Sequence, residues 1–276
     1  MAGGGFGIQK GEDFRPDATA WAIIALQALK ADQGLIDTAR QHLAAAQLQD
    51  GRVSISPDHP ESFWPTSLAV LAWQGASAYQ EAQGRAVAFL LGISGLAFKK
   101  EPEFDIGHNT ELKGWSWRSG TVSWAEPTAM AMMALEVTGQ RDNPRLAEGQ
   151  RLLLDRQIPG GGWNYGNTTV FGQVLHPMPE STGIVLNALR RKVPREAVQQ
   201  SLAYLEGSLP NLKTPWSLGW ALLGLGAWGA RPATADDMIG ICLDRQKRIS
   251  SYDTSSLALL LVAAQATDGL VSLWQA

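Results

Sequence analysis

The chain has 276 residues, a formal net charge of -3 and only 18% charged residues, so it offers no basic stripe to neutralise phosphates, and no nucleic-acid partner is expected. A single cysteine, Cys242, rules out a disulfide within the chain and suits a reducing compartment. The N-terminal MAGGGFGIQKGEDF lacks the basic start and apolar centre of a secretory signal, and no run reaches the ~18 apolar residues of a membrane span, so a cytoplasmic protein is expected; eleven tryptophans are compatible with peripheral membrane contact.

Taken in order, the chain reads as helical pairs. A buried helix is predicted over about 17–30 and an amphipathic partner over about 35–48. A second pair follows at about 65–74 and 80–91, and then a long irregular segment, 92–122, with Glu101, Glu103, Asp105, His108 and Glu111. The third pair, about 127–137 and 144–156, ends in the turn IPGGGWNYGN. A second long connection, 167–179, carries His176 and leads to pairs at about 181–191 with 194–207 and about 215–228 with 232–247. The last buried helix, about 254–266, has only the stub GLVSLWQA after it, which makes six inner and five outer helices with no strand pattern between them.

The inner helices start alike. RPDATAWAIIAL from Arg15, FWPTSLAVLAW from Phe63, AEPTAMAMMAL from Ala125 and PESTGIVLNAL from Pro179 share a proline, then Thr or Ser, then an apolar run. TPWSLGWALLGL from Thr214 and YDTSSLALLLVAA from Tyr252 are looser copies. Alternating helices that are apolar all round and helices with one apolar face predict an all-α fold, an α/α toroid spanning residues 1–276 as one domain, with an inner ring inside an outer one. The sixth outer helix is missing, so the N-terminal residues, a protein partner or a second copy must fill that place.

The most specific stretch is GQRLLLDRQIPGGGW from Gly149, with a weaker copy, QLQDGRV from Gln47, in which Val53 stands where Trp163 stands, and a further mark at Gln246. At these residues the chain resembles the squalene-hopene cyclase and prenyltransferase beta-subunit superfamily and its Gln-Trp repeats. The resemblance implies an α/α toroid around a central apolar cavity for isoprenoid chains, with Gln157 and Trp163 as structural staples. Aromatic faces in such a cavity suit developing carbocations, and dryness protects them from water.

Cyclases of that superfamily protonate an alkene with the central acid of a DxDDTA motif. The matching residues here are Arg15-Pro16-Asp17-Ala18-Thr19-Ala20, in which Asp17 falls on the central acid but Arg15 and Ala18 replace its acidic neighbours. A guanidinium so close makes Asp17 a poorer proton donor. Two residues before the aligned Thr or Ser stand Asp17, Trp64, Glu126, Glu180 and, more loosely, Asp253. With parallel inner helices these meet at one mouth, where the four carboxyl groups either form an acidic, catalytic cluster or each cap their own helix. Trp21, Trp64, Trp124, Trp216 and Trp220 are the candidate substrate-facing aromatics, whereas Trp115, Trp117, Trp163 and Tyr165 belong to the Gly-rich turns.

No metal and no cofactor are expected. Cys242 lies on an outer helix without the Asp-x-Cys spacing of the zinc-holding beta subunits, His108 and His176 show no ligand spacing, and Asp236-Asp237 is followed by MIG rather than completing DDxxD. The reading that results is a terpenoid cyclase-like protein that binds an isoprenoid or other apolar chain, with acid-initiated cyclisation or isomerisation. Its rivals are a non-catalytic toroid that binds a lipid or a protein, as a homo-oligomer or with another chain, and one half of a larger enzyme completed by a partner.

Overall fold

Proline opens four of the six inner helices and stands in the first turn of a fifth, because its fixed φ suits a first turn and its missing N–H is one that no intrahelical carbonyl would have met. The computed structural model describes residues 4–99 and 106–275; Glu101, Glu103 and Asp105 lie outside the described residues. Its inner helices are α1 (Pro16–Ala28), α3 (Pro65–Trp73), α5 (Ala125–Val137, with Pro127 in its first turn), α7 (Pro179–Leu189), α9 (Pro215–Gly226) and α11 (Thr254–Gln265). Only α11 has no proline in its first turn, and there the Asp253 carboxylate accepts from the Ser256 amide at 2.8 Å.

The outer helices are α2 (Gln33–Ala45), α4 (Gln80–Gly92), α6 (Pro144–Asp155), α8 (Gln199–Ser208) and α10 (Ala235–Asp244). Each buries one stripe: Ile36, Ala39 and Leu43 on α2, and Leu146, Gly149, Leu152 and Leu153 on α6. Both α8 and α10 are shorter than periodicity predicts, because the tighter turns Arg195–Val198 and Arg245–Lys247 take up one end of each. Each inner helix packs on the next in chain order, and α11 returns to α1, so the ring closes.

The recurrent threonine at the helix starts acquires a role. The hydroxyls of Thr19, Thr66, Thr128 and Thr182 accept from the backbone N–H of Phe6, Val53, Trp115 and Trp163 at 2.9, 3.0, 2.9 and 3.0 Å. Each also donates to the carbonyl of that same residue, at 2.9 to 3.4 Å. One buried hydroxyl therefore satisfies both backbone groups of the incoming turn, which is why the motif repeats. The turn before Trp163 also needs glycine: Gly161 and Gly162 have φ of +103° and +83°, and a Cβ on Gly161 would stand 2.5 Å from the Gln200 carbonyl carbon. Gln157 donates to Ala197 O and Ser201 Oγ at 3.2 and 2.8 Å, and the Trp163 indole donates to Leu153 O, so both fasten neighbouring turns as the resemblance implies.

The described N-terminal residues lie along the seam between α11 and α1. Phe6 is bonded to Thr19 of α1, while Thr254 at the head of α11 donates through its amide to Ile8 O at 2.8 Å and through its hydroxyl to Gly7 O at 2.7 Å. At the opposite end the turn Leu270–Trp274 folds under the ring, where Asn187 Oδ1 accepts from the Leu270 amide at 2.9 Å and Glu136 accepts from Lys192 and Gln275.

One element departs from expectation. The second long connection contains a hairpin of β1 (Thr169–Val170) and β2 (Gln173–Val174), paired antiparallel about Phe171 and Gly172. Strands this short leave no alternation for a sequence pattern to carry. None of the described helices is long and apolar enough to cross a membrane.

Candidate functional site

Because the inner helices run parallel, their first turns face one opening. A cavity of about 370 Å³ lies there, walled by Asp17 and Trp21 of α1, Trp64 and Leu68 at α3, Glu126, Pro127 and Met130 of α5, Ile184 of α7, Trp216 and Trp220 of α9, Ser255 of α11, and Trp117 from the first long loop. Its size falls at the lower end of the ~300–1,000 Å³ typical of small-molecule sites. A larger depression of about 830 Å³ opens at the far end of the ring. It is a groove between helix ends whose acid, Asp37, is half exposed and already paired with Arg40, so among the described residues it presents no buried acid.

Three indoles form a mutually perpendicular set. Trp21 lies 5.9 Å from Trp216 and 5.7 Å from Trp220, and Trp216 lies 6.3 Å from Trp220, with interplanar angles of 76° to 81°. Across the cavity Trp64 meets Trp117 at 5.9 Å and 76°. Edge-to-face packing fixes each ring, and the face of an indole carries the negative side of the quadrupole that attracts a cationic centre.

The four predicted acids have different surroundings. Asp17, 8% exposed, takes both guanidinium arms of Arg15, with Nε and Nη2 each 2.9 Å from a carboxylate oxygen. This fork occupies both oxygens. Asp253 caps α11 and also accepts from Ser256 Oγ at 2.7 Å. Glu180 accepts from Ser217 Oγ at 2.9 Å and Glu126 from Ser181 Oγ at 2.8 Å, so each reaches forward to the next inner helix around the ring and neither caps its own. Glu126 is 9% exposed and borders the cavity. Burial pushes its carboxyl group up from the usual value, outweighing the Ser181 bond that pulls it down, and the Glu180 charge adds to the rise. Among the described residues it is the cavity acid best placed to hold a proton.

The geometry thus brings together Asp17, Glu126, Trp21, Trp64, Trp216 and Trp220, and leaves Glu180, Asp253 and Trp124 outside the lining. Trp124 stands at the head of α5, where its carbonyl accepts from Thr128 and its amide donates to Trp115 O. Trp117, assigned by sequence to a turn, belongs to the wall. No signal in the sequence separated it from Trp115, which is fully buried; the Trp117 carbonyl accepts from Phe63 N at 2.8 Å, and that bond sets its indole beside Trp64. Leu68, Met130 and Ile184 were hidden among equally apolar neighbours. Cys242 is buried on α10 against Lys213 O and Tyr252, and no group of three or more His, Cys, Asp or Glu among the described residues is gathered so as to hold a metal ion.

No family model matches the chain, and no curated protein matches it. Among solved structures it is similar to the type II terpene cyclase MstE from Scytonema, at 14% identity and a TM-score of 0.56 over 98% of this chain and 91% of that one. A variant of MstE in complex with geranylgeranyl dihydroxybenzoate, its substrate, gives 14%, 0.60, 100% and 93%. The ent-copalyl diphosphate synthase from Streptomyces platensis gives 17% and 0.54 over 95% of this chain and 50% of that one. The chain therefore has the α/α toroid fold of the terpenoid cyclase-like proteins.

Proposed function

We propose that this protein binds an isoprenoid chain in the tryptophan-walled cavity and starts its cyclisation or isomerisation by proton transfer from Glu126. The observation that carries the proposal is a buried carboxyl group, raised by burial, in the same cavity as five indoles. The Glu126 O–H would deliver its proton to one carbon of a C=C bond, leaving the cation on the other carbon. The indole faces would hold that charge while the chain closes, and loss of a proton from carbon would end the reaction and leave a product isomeric with the substrate. A ligand of this class is supported by the prenylated substrate of the MstE complex. Asp17, the acid that the superfamily resemblance points to, is assigned no proton transfer, since Arg15 holds both of its oxygens.

The test separates binding from chemistry. Quenching of tryptophan fluorescence by uncharged prenyl alcohols measures binding, and gas chromatography with mass detection measures conversion. Glu126→Gln should keep affinity within about threefold while conversion falls at least about 100-fold, in line with loss of a general acid. Full conversion by Glu126→Gln would remove Glu126 from the mechanism, and binding without conversion by the unmodified protein would favour the non-catalytic toroid.

A further inference from the structure

Resting on the assignment of Glu126 as the proton donor, we infer that Ser181 is its positioning residue: from the next inner helix it turns the acid's proton toward the cavity and holds the carboxylate that remains once the proton has left.

Neither side chain is placed by its own helix. Glu126 sits in the first turn of α5 and Ser181 in that of α7, 55 residues apart, and the ring sets the two helices against each other. Ser181 has no exposed surface, and Glu126 Oε1, at 2.8 Å, is the acceptor that its hydroxyl has among the described residues. A buried hydroxyl needs an acceptor, so its hydrogen stays directed at Oε1. That leaves the acid's own proton to Oε2. Glu126 lines the cavity, and Oε2, bonded by none of the described residues, retains accessible surface. A substrate in the cavity can therefore reach the oxygen that carries the proton.

The same bond acts on the step itself. When the Oε2–H bond breaks and the proton joins one carbon of the C=C bond, its electron pair stays on the carboxylate and is shared with Oε1. Ser181 already points a donor at that oxygen, so the charge grows against a dipole that needs no reorientation. Without it, a buried carboxylate would form with no donor on that oxygen, at a high cost. The charged groups at the mouth ends of the helices around Glu126 are Glu180 on α7, the Asp155–Arg156 pair at the end of α6 and the Arg15–Asp17 pair on α1, while α3 has none. Glu180 has a bridge of the same kind, from Ser217 Oγ on α9 at 2.9 Å, but it stands outside the cavity lining, so Ser217 serves as a matched comparison.

Farnesol and geranylgeraniol are the probes, with binding followed by tryptophan fluorescence and conversion by gas chromatography from pH 4 to pH 8. Ser181→Ala should keep affinity within about threefold while the low-pH plateau of conversion falls about 10- to 100-fold, the worth of a hydrogen bond to a charged group. Ser181→Cys, close in size and a weak donor, should fall between the two. Ser217→Ala should convert within about threefold of the unmodified protein. Conversion declines as rising pH ionises Glu126. The Ser181 bond favours the ionised form and the Glu180 charge opposes it, so Ser181→Ala should move the decline to higher pH and Glu180→Gln to lower pH. A cavity merely loosened by Ser181→Ala would admit water and move the decline to lower pH instead. Infrared titration of the carboxylic acid band that Glu126→Gln lacks reads the same shifts with no ligand present. A plateau in Ser181→Ala equal to that of Ser217→Ala, or a decline moved to lower pH, overturns the role of Ser181 and leaves Glu126 as the donor. If the unmodified protein converts neither alcohol, the assignment of Glu126 falls, and the inference with it.

Discussion

Gly183 is where the ring is tightest. A Cβ built there would lie 2.1 Å from the Trp220 carbonyl oxygen and 2.5 Å from its carbon, and a Cβ built on the facing Gly224 would lie 2.7 Å from the Gly183 Cα. Ordinary contact begins near 3.4 Å, and every atom in the way is backbone, so Gly183→Ala forces α7 and α9 apart by more than 1 Å. Overpacking of this kind costs about 1–3 kcal/mol. With no side chain free to swing aside, the upper end applies, offset by about 1 kcal/mol of improved helix propensity. The net loss is about 2 kcal/mol, which lowers the Tm by about 4 °C for a chain of this size. Gly207→Ala is the matched control, since no atom lies within 4 Å of its Cβ, and it should gain about 0.5–1 kcal/mol. Because Trp220 moves with its carbonyl, Gly183→Ala should also weaken binding of a prenyl alcohol in the cavity. Calorimetry that finds Gly183→Ala as stable as Gly207→Ala would refute the close approach of α7 and α9.

Two other outcomes follow from the same geometry. Thr128→Val removes the bonds to Trp115 N and O and leaves a buried N–H unmet, so it should cost about 1–3 kcal/mol, whereas Thr121→Val, whose one hydroxyl bond is open to solvent, should stay within about 0.5 kcal/mol; urea melts of both decide it. Glu126 should penalise folding as the pH rises. The unfolded carboxyl ionises near its ordinary value of about 4.3, while the buried one keeps its proton to higher pH, so stability falls from there until the folded value is passed. Glu126→Gln lacks this loss, and its Tm advantage over the unmodified protein should widen from pH 4 to pH 8; a constant gap would contradict the raised carboxyl.

Much of the fold was legible because each inner helix announces itself. Proline, then threonine, then an apolar run is a local instruction, and the threonine recurs because one hydroxyl must serve both backbone groups of a turn as far as 19 residues upstream. Asp253 could be read as a cap for the same reason: its partner, Ser256, is three residues away. The acids at the mouth were visible as a set, but their partners were not. Ser181 lies 55 residues from Glu126 and Ser217 lies 37 from Glu180, and only closure of the ring brings each next to its acid. Sequence alone therefore weighed capping for residues that bridge helices instead. The distinction between Trp124 and Trp117 was out of reach for a similar reason, since it depends on the bond from Phe63 N to the Trp117 carbonyl, which joins distant parts of the chain. The seam was legible as a question: a sixth outer helix was missing, and residues near Phe6 and Ile8 join the heads of α1 and α11 through Thr19 and Thr254.

The central claim is that Glu126 gives its proton to a carbon of an isoprenoid held among the tryptophans. Reaction of the purified protein with an uncharged polyprenyl alcohol in D₂O, followed by mass spectrometry of the product, tests it most directly. The account predicts an isomeric product with one deuterium bound to carbon, formed by the unmodified protein and absent with Glu126→Gln. Product free of solvent deuterium, or labelled product formed equally well by Glu126→Gln, would contradict it.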